Sequence, residues 1–428
     1  MTEPSGQNRA FSGVAGAGAG AIDGGYLALS DGLLALVRPA LDLLAPGGVL
    51  AVLSTSPAAR EDLPSWCRAE RHGYLGRESL PDGREVHRIE RGRLGVPRGA
   101  REEGLRLPVR DGRVTASDVL AAVPFPERAD NGSGFAPRGA RVEPGGPAYP
   151  FTILDRERAA PPEVARLYDQ AVAATWDATR DVPWAKVGDL EAPLERAVGQ
   201  VMTFLAENEL SALYVPAKFL PRIHPAYAET AMFLATQMAD EARHMDVFLK
   251  RARAGGGGLG VSSATTSRSL LSLLQVEDFL EAEFLLSVLG EGTFLHLLAF
   301  LERHGPDPIT RRVAHLALQD ETRHVAFGMA HLQHQVAAQP DLRDRLRNAI
   351  ERRHAALADT AGLNQDVMDA LIVLAAGGWA PAAIARGYAA VEALQVEMDT
   401  GRQRRLVRLG FAPADAATLS ALHTRNFM

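Results

Sequence analysis

The pentapeptide Asp-Glu-x-Arg-His occurs twice, as Asp240, Glu241, Arg243, His244 and as Asp320, Glu321, Arg323, His324, offset by 80 residues (321 − 241). A Glu and a His three apart project from one face of a helix, so each copy presents a carboxylate and an imidazole to a common point. Two such helices supply half of a dinuclear metal site and commit the chain to a helical bundle around it. A lone Glu-x-x-His means little. Glu351 to His354 repeats the spacing in an Arg-rich run, with Ile350 in place of the Asp, and reads as a solvated helix face. The register of four residue types in two copies sets the pair apart.

The other half of such a site is one inward Glu from each of two further helices. Val198, Val201, Met202, Leu205, Ala212 and Leu213 form an apolar stripe at helical spacing; Glu209 falls on it and Glu207 does not. Phe284, Val288, Leu295 and Leu298 form a second stripe that carries Glu291. The separations from the repeats are nearly equal, 32 residues (241 − 209) and 30 (321 − 291), as two helical hairpins require. Glu277 and Glu281 extend the second stripe and rival Glu291. Metal-bound imidazoles donate their second N–H to a carboxylate, which makes Asp240 and Asp320 the expected acceptors. Arg243 and Arg323 would neutralise those aspartates. Met238, Ala239, Phe248, Ala317, Leu318 and Val325 mark both helices as largely buried, where an unpaired Arg would be costly.

The paired DEARH and DETRH, with VLGEGTF around Glu291, resemble the ferritin-like di-iron carboxylate proteins over roughly residues 161 to 335. The resemblance is strongest to the oxygen-activating branch of bacterial multicomponent monooxygenase hydroxylases and acyl carrier protein desaturases. It implies that Glu209, Glu241, His244, Glu291, Glu321 and His324 hold two irons, or a Mn/Fe pair, that react with O2. Ribonucleotide reductase small subunits carry a radical tyrosine four residues after the first His, where this chain has Phe248. The p-aminobenzoate N-oxygenase group uses an extra His where this chain has Ala317. Hydroxylases often place a Thr one turn after the third Glu. Leu295 stands there, leaving Thr293 as the candidate proton relay, with bonding to its own backbone as the alternative.

Ligand type carries the chemical argument. Four carboxylates and two imidazoles suit two hard cations, iron or manganese before copper, although zinc shares the spacing. Phe204, Phe248, Phe284 and Phe294 would supply a dry pocket, or plain core. No nicotinamide or flavin site is recognisable; Gly16 to Ala21 imitates a dinucleotide fingerprint with no strand before it. Repeated oxygen activation would therefore draw electrons from a reductase or ferredoxin. The expected activity is an oxygenase or oxidase that hydroxylates, N-oxygenates or desaturates a small organic substrate. The alternatives are a ferroxidase or iron-handling protein, and a non-catalytic binding module.

The chain's 428 residues exceed a usual single domain. The expected division is an α/β domain over 1–95, a Gly/Pro/Arg-rich linker or wrapping arm over 96–160, and the mainly α, ferritin-like bundle with extra C-terminal helices over 161–428. Within the first, residues 21–29 and 48–54 read as strands, 33–44 and 60–71 as helices, and Asp82-Gly83 as a hairpin turn. This two-layer sandwich resembles the TusA-like sulfur carriers, but Leu29 to Gly32 lack that family's Cys-Pro pair. Cys67, the sole cysteine, excludes an intrachain disulfide. The run Gly255 to Gly258 reads as a flexible crossover. A net charge of −6 without a long basic run argues against nucleic-acid binding. No secretory signal or membrane span is evident, and the longest apolar stretch, Ala370 to Ala385, is broken by Gly377, Gly378 and Pro381. A cytoplasmic homodimer is the expectation.

Overall fold

The computed structural model describes residues 20–92, 107, 109–140, 142, 145–159, 161, 163–357 and 364–423. They form two compact units, one built from 1–103 with 141–145, the other from 104–140 with 146–428.

The first unit runs β1 (Gly20–Asp23), α1 (Leu34–Asp42), β2 (Val49–Ser54), α2 (Ala59–Ala69), β3 (Gly73–Ser79) and β4 (Glu85–Glu90). The sheet order is β1-β2-β4-β3, with β1 and β2 parallel and the other neighbours antiparallel. Val37 and Leu41 of α1 and Leu63, Trp66 and Cys67 of α2 bury against Leu50, Val52 and Ile89, which alternate onto one face of the sheet. Burial pushes the Cys67 thiol up to about 12, so the side chain is an inert packing element. Gly83, with φ of +86°, supplies the hairpin turn. The first strand is shorter than the 21–29 of the sequence pattern. After Asp23 its carboxylate accepts the Gly25 N–H at 2.9 Å, and Gly25 takes a φ of +52°, which turns the chain out of the sheet.

The second unit begins with an arm that carries α3 (Ala116–Ala121) and α4 (Arg156–Ala159), followed by α5 (Val164–Ala173). Asp169 of α5 accepts the Ala116 and Ser117 N–H groups at 3.0 and 3.1 Å and so caps α3. Arg138 holds the arm down: it pairs with Glu229 and donates to the carbonyls of Leu120, Val123 and Ala226.

The bundle consists of α6 (Ala192–Phe219), α7 (Ala228–Ala254), a composite third helix and α11 (Pro308–Ala338). The third helix joins α9 (Phe279–Glu283), a π-helical stretch (Phe284–Glu291) and α10 (Gly292–His304), and α8 (Ala264–Leu274) precedes it. Asp307 accepts the Ile309 and Thr310 N–H groups, and Pro308 opens α11 at a position that needs no donor. Around the bundle lie α12 (Leu342–Leu357), α13 (Gln365–Ala376), α14 (Pro381–Arg408) and α15 (Pro413–His423). The core runs the length of the bundle through Val198, Leu205, Phe233, Val247, Val288, Leu297, Val313 and Leu332.

Two sequence expectations change here. The glycine run is packed tightly: a Cβ on Gly257 would lie 2.6 Å from the Glu195 carbonyl oxygen, and one on Gly199 would lie 2.3 Å from that of Gly258. Close approach, rather than looseness, is what these glycines provide. Among the described residues, Phe279–His304 is long and apolar enough to cross a membrane, with a mean hydropathy of 1.8, and it, rather than Ala370 to Ala385, is the most apolar rod. Some 83% of that window is buried inside the bundle, which explains its composition.

Candidate metal centre

Glu209 comes from the middle of α6, Glu241 and His244 from α7, Glu291 from the end of the π-helical stretch, and Glu321 and His324 from α11. All six are at most 5% exposed. They converge as two overlapping clusters, Glu209, Glu241, His244, Glu321 and Glu241, Glu291, Glu321, His324, each with ligand atoms within 4.8 Å of one another. Glu241 and Glu321 belong to both. His244 Nδ1 lies 3.5, 3.2 and 3.4 Å from carboxylate oxygens of Glu209, Glu241 and Glu321. His324 Nδ1 lies 3.1 Å from Glu241 and 3.4 Å from Glu321.

The other ring nitrogen of each histidine crosses to the opposite repeat. His244 Nε2 meets Asp320 Oδ2 at 3.0 Å, and His324 Nε2 meets Asp240 Oδ2 at 3.2 Å. Arg243 bonds Asp240 and reaches Asp320 at 2.9 Å; Arg323 bonds Asp320 and lies 3.6 Å from Asp240. The two aspartates and two arginines therefore cancel one another's charge and leave the inner carboxylates uncompensated. Four long helices thus enclose a buried centre of carboxylates and imidazoles.

The electrostatics of the bundle interior favour added positive charge. Burial, and then the neighbouring Glu241 for Glu209 and Glu321 for Glu291, push these two carboxyls well above their usual range. Burial works against protonating His244, but bonds to Asp320, Glu209, Glu241 and Glu321 outweigh it and raise its pKa well above the ordinary value. His324 rises in the same way through Glu241 and Glu321. Buried Glu241 Oε1, Glu291 Oε2, Glu321 Oε2 and His324 Nδ1 have no hydrogen-bond partner. Such groups are expensive to bury unsatisfied. The donor set fits two metal ions: four carboxylates balance two divalent cations, and the orphaned atoms are the ones that would coordinate them.

Several neighbours of the centre escape sequence reasoning. Trp176, on the irregular segment after α5, donates from Nε1 to Asp320 Oδ2 at 2.7 Å, stacks against His244 at 6.2 Å and lies under the Arg243 guanidinium. Nothing periodic marks it. Gln237, one turn before Glu241 and so on the same helix face, donates to Glu291 Oε1 at 2.9 Å; that spacing was the available signal. Glu277 and Glu281 stay outside both clusters, Glu277 pairing with Lys218 and Arg222, Glu281 with Arg352. Glu351 is exposed, and His354 bonds the Leu422 carbonyl.

Thr293 donates to the Leu289 carbonyl at 2.7 Å and accepts from Arg402 at 3.1 Å, so its hydroxyl serves its own helix. Phe204, Phe248, Phe284 and Phe294 are all buried in the core. Phe204 and Phe294 stack on each other, Phe248 lies against His244, and none of the four lines the apolar cavity beside the centre. That cavity is bounded instead by α6, α7, α9, the π-helical stretch and α11, with Gln237 and Ser287 among its walls.

No family model matches the chain, and no curated protein matches it. Among solved structures, a variant of an R2-like ligand-binding oxidase with an aerobically reconstituted Mn/Fe cofactor is 18% identical, covering 58% of this chain and 93% of its own, at a TM-score of 0.43. A second Mn/Fe variant gives 18%, 58%, 96% and 0.44, and one with an Fe/Fe cofactor 18%, 58%, 93% and 0.43.

Proposed function

We propose that the chain is a non-haem di-metal oxidase or oxygenase. Glu209, Glu241, His244, Glu291, Glu321 and His324 would hold two ions, an Fe/Fe or Mn/Fe pair, and O2 and a small organic molecule would be the substrates. The sharing of Glu241 and Glu321 between two otherwise separate clusters carries this reading, because shared carboxylates are what hold two ions within reach of one oxygen molecule. When bound, such a pair supplies the redox equivalents that oxygen chemistry needs.

The protein's own residues set the terms. With Nε2–H donated to Asp320, His244 keeps its Nδ1 lone pair aimed at the centre, and Asp240 does the same for His324. Arg243 and Arg323 pair with those aspartates and hold them beside the imidazoles. Buried walls from all four bundle helices keep bulk water out, and Gln237 and Ser287, which bond Glu291, also line a small cavity at the side. Repeated turnover would take electrons from a separate reductase or ferredoxin.

The deciding experiment is metal content per chain after anaerobic Fe(II) addition, followed by O2 uptake. About two irons and oxygen consumption that stops after one equivalent without a reductant support the reading. Continued uptake of excess iron would favour ferroxidase or storage, and near-zero occupancy a non-catalytic module.

A further inference from the structure

Arg353 of α12 is only 6% exposed, yet among the described residues no carboxylate pairs with it. Its Nε donates to Ser272 Oγ at 3.0 Å and its Nη2 to Ser269 Oγ at 2.9 Å, both on α8. Hydroxyls satisfy those donors without cancelling the charge. Burial lowers the guanidinium pKa to about 10, which still leaves it protonated at neutral pH. Nη1 has no acceptor among the described residues, and it is not sealed from solvent. A buried cation without a counter-charge is costly, and an anion that meets it removes the cost.

Arg353 lines a cleft of about 380 Å³ between α8, α9, α12 and the π-helical stretch, within the size range of small-molecule sites. Val276, Leu285, Ala349 and Ala356 give the cleft an apolar side. None of the six metal-centre residues lines it. The acids at its edge are already paired: Glu277 with Lys218 and Arg222, Glu281 with Arg352, and the neighbouring Asp278 with Arg345 and Arg158. Those three carboxylates meet five cations, and Arg353 adds a sixth, in a chain whose net charge is −6. Such a local excess of positive charge draws anions.

We propose that this cleft is a binding site for a small organic carboxylate, which accepts from Arg353 Nη1 while its hydrocarbon part lies against Val276, Leu285, Ala349 and Ala356. The site is separate from the metal centre and does not rest on the di-metal reading. A guanidinium donates to a carboxylate through charge-assisted bonds, and Ser269 and Ser272 hold this one in place from the other side. The apolar side of the cleft calls for a ligand with a hydrocarbon part, which inorganic phosphate lacks.

The test is a ligand-observed NMR titration of the full-length, metal-loaded protein with benzoate and with benzamide, a neutral molecule of nearly the same shape. Wild type is expected to bind benzoate at least tenfold more tightly than benzamide. Arg353→Met should abolish that preference, and Arg353→Lys, which keeps the charge, should retain part of it. Ala356→Trp fills the cleft from an exposed position and leaves Arg353 intact, so it should lose benzoate even if Arg353→Met fails to fold. No benzoate binding, equal affinity for the two probes, or benzoate binding unchanged in both Arg353→Met and Ala356→Trp overturns the proposal. Inorganic phosphate at a concentration equal to that of benzoate should displace little of it; complete displacement overturns the assignment of an organic ligand in favour of a free oxyanion.

Discussion

His244 and Asp320 sit 3.0 Å apart although they belong to different copies of the repeated pentapeptide, and His324 and Asp240 repeat the exchange. Each motif thus supplies an inward Glu and His on its own helix and the carboxylate that meets the other helix's imidazole, which ties α7 and α11 into one unit. Asp320 also accepts from Trp176, Arg243 and Arg323, so it gathers three donors beside one imidazole. Asp320→Ala is expected to lower metal affinity by about 10- to 100-fold while leaving the ligands in place. Competition with a chelator of known affinity measures it. Affinity equal to wild type would remove the orienting role.

The duplicated motif made the four-helix core and six inward side chains legible, because helical periodicity fixes which face a Glu or His occupies. Glu209 and Glu291 were readable for the same reason. Legibility ended where contacts depend on chain segments without a period. Trp176 sits on an irregular stretch, and Arg402 and Arg405 come from a helix more than 100 residues beyond Glu291. Whether Phe204, Phe248, Phe284 and Phe294 line a pocket or plain core was not legible, because an apolar stripe does not say whether it meets a neighbour or a void. The glycine run misled in the opposite direction, since composition cannot distinguish a loose loop from one pressed against Glu195.

Gly292 follows Glu291 at the junction between π-helical and α-helical turns. Arg405 donates from Nε to the Val288 carbonyl at 2.7 Å, bonding a backbone group of the π-helical stretch from outside. A Cβ on Gly292 would lie 2.5 Å from that Nε. Gly292→Ala should therefore cost about 1–3 kcal/mol through overpacking and loosen Glu291. The thermal midpoint of the helical circular dichroism signal reads the loss. Adding Arg405→Ala should recover part of it, as a double-mutant cycle would show; strict additivity of the two losses would break the link.

Arg251 is buried between two carboxylates, Glu195 at 2.6 Å and Asp307 at 2.7 Å, at the end of α7. Burial works against ionising Asp307, but Thr310 and Arg251 outweigh it and hold its pKa below the ordinary value. A depressed folded pKa stabilises above the unfolded value, about 3.9, and the benefit fades as pH falls through it toward the folded one. Asp307→Asn in chelator-treated protein should be destabilised by about 3 kcal/mol at neutral pH, less if Glu195 compensates. The gap from wild type should shrink below about pH 4. Thermal unfolding between pH 3 and 7 checks this, and a gap that stays constant would contradict it.

Glu241 and Glu321 occur in both clusters, whereas Glu209 and Glu291 occur in one each. The asymmetry separates a true dinuclear centre from two acidic residues that happen to neighbour a histidine. Glu241→Ala or Glu321→Ala should reduce bound metal from about two ions to near none, because each removes a donor from both positions and leaves a buried imidazole short of a partner. Glu209→Ala or Glu291→Ala should weaken one position first, giving about one tightly held ion. Metal-dependent stabilisation should follow the same order, since an ion that binds only the folded chain raises its thermal midpoint by mass action. Mass spectrometry of metal content on the four variants, with melting curves beside it, reads both. If all four lose metal equally, the assignment of Glu241 and Glu321 as shared ligands fails.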